Sequence, residues 1–138
     1  MAELTIEGKN TIAVPDGTRL LVALLDAGVD ILHRCGGYAK CTTCRVRFHE
    51  GEPSQMTVAE HDRLTANDQL GEFRLSCQCL AKGVMRVEPL MSLASSGFDD
   101  PGPDPETVIT PEPEWRDAPV AGVGRSAGGK EAPTGVLD

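Results

Sequence analysis

Five cysteines fall into two groups. Cys35-Gly36-Gly37-Tyr38-Ala39-Lys40-Cys41-Thr42-Thr43-Cys44 carries three of them in the spacing C-x5-C-x2-C, and 32 residues separate Cys44 from Cys77 in Ser76-Cys77-Gln78-Cys79. Three sulfurs on a glycine-rich loop, joined by one from a distant strand end, can encircle a compact inorganic cluster. A [2Fe–2S] cluster places two tetrahedral irons around shared sulfide and needs four thiolates arriving in two pairs. Gly36 and Gly37 lack a Cβ, so they can turn tightly and bring backbone N–H groups close to sulfur. Two ferric ions set against two sulfides and four thiolates leave a dianion, which reduction turns into a trianion. Amide dipoles and the nearby Arg34, Lys40 and Arg45 favour the added electron.

Other readings of the same thiols stand beside this one. Structural zinc usually takes two C-x2-4-C knuckles, whereas only Cys41 and Cys44 make one here. A thioredoxin-like pair at Cys41-Thr42-Thr43-Cys44 needs a βαβ context, and scattered structural thiols need no arrangement at all. A Rieske centre requires two His ligands in paired motifs. His33 precedes Cys35 by two residues, but His49 and His61 have no cysteine at a matching distance, so all three histidines read as surface or packing residues.

The elements that must hold this loop are short. Leu4 and Ile6, then Ile12 and Val14, alternate as two strands around a tight turn at Gly8-Lys9-Asn10. Pro15-Asp16-Gly17-Thr18 breaks the second strand and supplies capping oxygens to a helix over residues 19–27. That helix carries Leu20, Ala23, Leu24 and Ala27 on one face, with Gly28 as its stop. Val46 and Phe48 mark a third strand, ended by Gly51 and Pro53. Thr57-Val58-Ala59-Glu60 fits a capping box that opens a second helix towards Ala66. Residues 73–76 and 84–87 read as two further strands around Gly83. The order β-β-α-β-α-β-β predicts an α+β domain with a helix packed on one sheet face.

Composition divides the 138-residue chain near residue 92. The first part has three prolines, the remainder seven, with seven glycines and a single Phe and Trp. Of 13 basic and 21 acidic residues, 3 and 9 lie after residue 92. So little apolar content cannot offset ordering entropy, which predicts a domain over residues 1–92 and an acidic, disordered Pro/Gly-rich tail over 93–138. The net charge of −8 disfavours a nucleic-acid or anionic-membrane partner. The longest apolar run, Leu20 to Leu25, is six residues, against about 20 for a membrane span. With no signal-like start and an odd number of cysteines, the expectation is a soluble, cytoplasmic, monomeric protein with reduced or metal-bound thiols.

The run Cys35-Gly-Gly-x-x-x-Cys41-x-Thr43-Cys44, followed by Arg74-Leu75-Ser76-Cys77-Gln78, resembles [2Fe–2S] ferredoxins of the plant and adrenodoxin superfamily. The x5 loop is similar to that of adrenodoxin-type and related bacterial members, although Arg45 stands where adrenodoxin-type proteins commonly have His. The resemblance covers about residues 1–90 and implies a β-grasp fold, one main helix on a mixed sheet. It also implies one [2Fe–2S] cluster held by Cys35, Cys41, Cys44 and Cys77. Cys35 and Cys41 would hold the outer iron, Cys44 and Cys77 the deeper one, and Cys79 would be a buried spare. The implied function is one-electron transfer, without enzymatic activity, from a ferredoxin reductase or other flavoprotein to an acceptor protein, at a potential near about −400 mV. The alternative is a cluster-bearing subunit, or a sensor whose cluster state controls protein binding. No G-x-G-x-x-G turn follows a strand, so a self-contained flavin or nicotinamide reductase is excluded. Glu60, Asp62, Asp68 and Glu72 read as a solvated face, with docking as the other use, and Tyr38 as a shield for the cluster. Pro111-Glu112-Pro113-Glu114-Trp115-Arg116 reads as part of a solubilising tail rather than a docking motif.

Overall fold

The computed structural model describes residues 1–119. Strand β1 (Ala2–Ile6) turns through Gly8, at φ 82°, into the antiparallel β2 (Thr11–Val14), with Thr5 opposite Thr11 as the expected hairpin requires. Helix α1 (Leu20–Asp26) follows, then the cysteine loop, then β3 (Arg45–Glu50). A short β4 (Gln55–Thr57) leads directly into α2 (Val58–Ala66). The two-residue β5 (Arg74–Leu75) runs into a 3-10 turn at Ser76–Gln78, and β6 (Val84–Pro89) follows.

The main sheet has the order β2-β1-β6-β3-β5. β6 lies parallel to β1 and antiparallel to β3, which makes the sheet mixed. Leu4 pairs with Met85 and Ile6 with Val87, so their side chains share one face. Leu20, Leu21, Ala23 and Leu24 of α1 join these residues, Ala2, Val46 and Leu75 in one core. This is the β-grasp arrangement with one main helix on a mixed sheet.

The helices differ from expectation in instructive ways. Leu21 is buried as well as the expected face, Ala27 packs partly buried against the core as the C-cap, and Arg19 takes the N-cap position of α1 without a side-chain cap. Thr18 spends its hydroxyl on the Pro15 carbonyl at 2.7 Å. At α2, Thr57 accepts from the Glu60 amide at 3.0 Å as a capping box predicts. The Glu60 side chain does not return to Thr57. It turns inward, wholly buried, to Arg74 and the Leu75 amide.

The expected disordered tail requires correction over residues 93–119, while 120–138 lie outside the described residues. Asp30 caps α3 (Leu93–Ser96), its two carboxylate oxygens accepting from the Leu93 and Ala94 amides at 2.8 and 3.1 Å. The chain then crosses the cysteine loop and returns as β7 (Trp115–Asp117), antiparallel to β4. Trp115 pairs with Thr57, so the last two residues of the acidic Trp motif, Trp115 and Arg116, lie in a strand. Ile109 is buried, and the segment is held further by backbone hydrogen bonds, the His33 amide to the Pro101 carbonyl at 2.8 Å and Val58 to Glu114 at 2.7 Å. Side chains of the domain also reach its carbonyls, Arg19 to Glu106 and Gln78 to Thr110. Composition registers few apolar side chains in this segment and is blind to its amides.

Candidate metal centre

The loop between α1 and β3 is wound by residues with positive φ: Gly36 at 73°, Gly37 at 95°, Ala39 at 61° and Thr42 at 57°. A left-handed residue turns its neighbouring amides to one side, and here that side is sulfur. The Cys35 amide lies 3.2 Å from Cys41 Sγ, and the Lys40 amide 3.5 Å from Cys35 Sγ. Thr43 Oγ1 sits 3.0 Å from Cys41 Sγ while accepting from the Arg34 amide at 3.0 Å. Were Cys41 deprotonated by a bound metal it could only accept, and the Thr43 hydroxyl would then donate to it. Arg45 holds the strained Thr42 through its carbonyl and its hydroxyl, both at 2.9 Å, and lies over the Phe73 ring at 4.2 Å.

The distant cysteine arrives on a braced turn. Both the amide and the hydroxyl of Ser76 donate to the Cys44 carbonyl, which ties the 3-10 turn to the end of the loop. Gln78 Nε2 approaches Cys77 Sγ at 3.6 Å and donates to the Thr110 carbonyl at 2.8 Å. Thr57 fixes the Gln78 amide from the other side, donating to Oε1 at 2.6 Å.

The four sulfurs close in two couples, Cys35 with Cys41 and Cys44 with Cys77. In the first, the hydrogen bond from Cys41 lowers Cys35 to about 4 against the effect of burial, helped by the amides of Lys40, Gly37 and Tyr38. Cys41 is correspondingly raised by holding the shared proton. In the second couple, the hydrogen bond from Cys44 lowers Cys77, with Gln78 and the charge of Arg19 adding to it, and Cys44 is raised. In each couple the shared hydrogen bond makes one thiol easier to deprotonate than its partner, and metal binding would displace the protons that remain.

Cys35 and Cys41 are partly exposed, whereas Cys44 and Cys77 are buried. Cys79 is buried as well, but its surroundings differ. Burial pushes its thiol up, and the charges that act on it most are Arg74 and Glu60.

These residues fit a binuclear iron–sulfur group. The four candidate donors are all sulfur, and apart from the thiol-to-thiol bond within each couple the hydrogen bonds to them come from amides and a hydroxyl. Among the described residues no three His, Cys, Asp or Glu side chains gather around a single-ion position; in a binuclear group each of the two sulfur couples would hold one iron. Gly37 sits at φ 95°, a backbone conformation that other residues rarely adopt, and a Cβ there would lie 2.6 Å from Nη2 of Arg19.

Sequence reasoning passes over three contributors. Arg19 reads in the sequence only as the start of a helix, yet it is buried and donates to Cys77 and Gly37. Ser76 and Thr110 are polar residues whose roles depend on tertiary contact. Of the acidic group, Asp62, Asp68 and Glu72 are exposed, but Glu60 is not part of any surface. His33 is buried, its Nδ1–H donating to the Ile31 carbonyl at 3.1 Å, and His49 contacts Glu88 at 2.9 Å, so neither faces a sulfur. Tyr38 is 43% exposed at the rim of the loop.

Comparison with known proteins agrees with this geometry. Residues 4–82 match the family described as 2Fe-2S iron-sulfur cluster binding domain. A subunit of the Na(+)-translocating NADH-quinone reductase of Methylococcus capsulatus is 36% identical over 85 residues, 62% of this chain and 21% of that protein. Its counterpart in Chlamydia pneumoniae is 41% identical over 80 residues, 56% of this chain and 18% of that protein. The chain therefore spans about a fifth of the length of these curated relatives. Among solved structures, the ISC-like [2Fe-2S] ferredoxin from Pseudomonas putida superposes with a TM-score of 0.56 at 28% identity, covering 67% of this chain and 96% of that one. The chain belongs to the 2Fe-2S iron-sulfur cluster binding domain family, and its cofactor is a [2Fe–2S] cluster.

Proposed function

We propose that this protein is a one-electron carrier in which Cys35, Cys41, Cys44 and Cys77 hold a single [2Fe–2S] cluster. The observation that carries the reading is the pairing of thiols by depth: one couple partly exposed, one buried, inside a loop whose amides point at sulfur. When bound, the cluster supplies a reversible one-electron couple, and no substrate bond is made or broken. The chain's own residues do the remainder. The loop amides and Thr43 stabilise negative charge on sulfur, Ser76 and Gln78 hold Cys77 in place, and the segment 99–110 keeps water from the Gly36–Gly37 side of the loop.

The proposed donor is a ferredoxin reductase or other flavoprotein and the acceptor a redox protein, docking briefly on the side of Cys35 and Cys41. The protein is proposed to act as a monomer and without enzymatic activity of its own. Among the described residues no helix is long and apolar enough to cross a membrane. A second reading, a cluster-bearing subunit of a larger reductase, is favoured by the NADH-quinone reductase relatives. Anaerobic stopped-flow mixing with a reduced flavoprotein reductase, followed by gel filtration of the mixture, tests both. A carrier is reduced and elutes alone. A stable complex with the reductase supports the second reading, and a loaded cluster that accepts no electron contradicts both.

A further inference from the structure

Arg19 is 1% exposed, and its guanidinium makes four hydrogen bonds, all to neutral oxygens. Nε donates to the Cys77 carbonyl at 2.8 Å, and Nη1 to the Glu106 carbonyl at 2.7 Å. Nη2 donates to the Gly37 carbonyl at 2.5 Å and to Thr110 Oγ1 at 3.3 Å. Among the described residues no carboxylate pairs with it; the ion pairs of the other arginines, such as Arg74 with Glu60 and Glu52, lie elsewhere. A buried charge without a counter-charge is costly, and such groups persist where something of opposite sign lies beside them. The residues that Arg19 touches supply that sign, because Gly37 belongs to the ligand loop and Cys77 is a ligand itself.

We propose that Arg19 is a positioning residue and the buried counter-charge of the cluster. Its fork clamps the first cysteine loop and the Cys77 turn together, and its positive charge favours the reduced state. Reduction brings in one electron from the donor protein and no proton, so the cage goes from a dianion to a trianion. A fixed cation in a medium of low dielectric stabilises the second more than the first. The planar guanidinium reaches the Gly37 and Cys77 carbonyls at once and so clamps both, while its charge acts through space whether or not the fork is complete. The inference rests on the cluster assignment, not on which proteins exchange electrons with it.

The test is equilibrium reduction of the loaded full chain against a one-electron mediator dye of known potential, with iron and sulfide counted on the same samples. Arg19→Gln, which keeps hydrogen-bonding capacity but removes the charge, is expected to lower the equilibrium constant for reduction about tenfold, about 59 mV for a one-electron couple. Arg19→Lys, which keeps the charge, is expected to stay within about twofold of wild type. A fully loaded Arg19→Gln protein within about twofold of wild type would overturn the proposal, as would a Lys variant that shifts as far as the Gln one. Should Arg19→Gln take up no cluster, loading of Arg19→Lys supports the counter-charge, and failure of both contradicts it. A wild-type chain without iron or sulfide would instead remove the cluster assignment on which the inference stands.

Discussion

Ser76 donates twice to the Cys44 carbonyl, from its amide at 3.0 Å and its hydroxyl at 2.8 Å. The contact joins residues 32 apart and places Cys77 beside Cys44, which makes the inner sulfur couple a property of the fold rather than of the loop alone. Ser76→Ala should remove the hydroxyl bond only, at a cost of about 1 kcal/mol, and should speed cluster release to a chelator. Visible absorbance followed in excess chelator measures it, and an unchanged release rate would show that the amide bond suffices.

Cys77 and Cys79 are separated by one residue and by their surroundings. Cys77→Ser should abolish stable cluster retention, whereas Cys79→Ser should keep two irons per chain and lose some stability from a small buried polar change. Iron content after desalting reads both, and the reverse pattern would place the inner iron on Cys79.

Thiol reactivity gives an independent check on Cys79. It is buried and burial pushes its thiol up, so little of it is thiolate at about pH 8. Iodoacetamide should leave Cys79 unlabelled in the native, loaded protein and label it after denaturation. Mass mapping of the alkylated cysteines decides, and rapid labelling of the native protein would contradict the burial.

Glu60 and Arg74 form an ion pair at 2.8 Å beneath α2, with Glu60 also accepting from the Leu75 amide at 2.9 Å. Burial pushes the Glu60 carboxyl up while the Arg74 charge pulls it down. Glu60→Ala leaves the buried guanidinium without this partner and should destabilise the protein by about 3–5 kcal/mol. Denaturant unfolding measures the loss, and a change below about 1 kcal/mol would place the pair among surface-like contacts.

The segment that crosses the loop is pinned at Gly102, φ +127°, where a Cβ would run into the His33 carbonyl oxygen. Gly102→Ala should therefore lift the segment from the loop. The expected result is faster hydrogen exchange at the His33 amide, which donates to Pro101, with the core strands unaffected. Equal exchange in both proteins would show that the segment tolerates the displacement.

The proposed ligand loop is legible in the sequence because C-x5-C-x2-C is local and its glycines are visible. The hairpin at Gly8, α1 and the Thr57 cap are legible for the same reason, since periodicity and capping act within a few residues. Arg19 is not, because nothing around a helix start announces that a guanidinium will be buried against Gly37 and Cys77, 18 and 58 residues away. Glu60 misleads for a related reason. A glutamate in a capping box has two destinations, and the one it takes depends on Arg74 from another strand. The crossing segment escapes composition altogether, since Pro101, Glu106 and Glu114 contribute carbonyl oxygens that any residue possesses.

The central claim is that four thiolates, in an outer and an inner couple, hold one binuclear cluster. Low-temperature EPR on anaerobically purified protein, with iron and sulfide determined on the same sample, tests it most directly. The predicted result is two irons and two labile sulfides per chain, silent as isolated and giving one S = 1/2 signal after reduction. A colourless protein with stoichiometric zinc and no signal after reduction would contradict it.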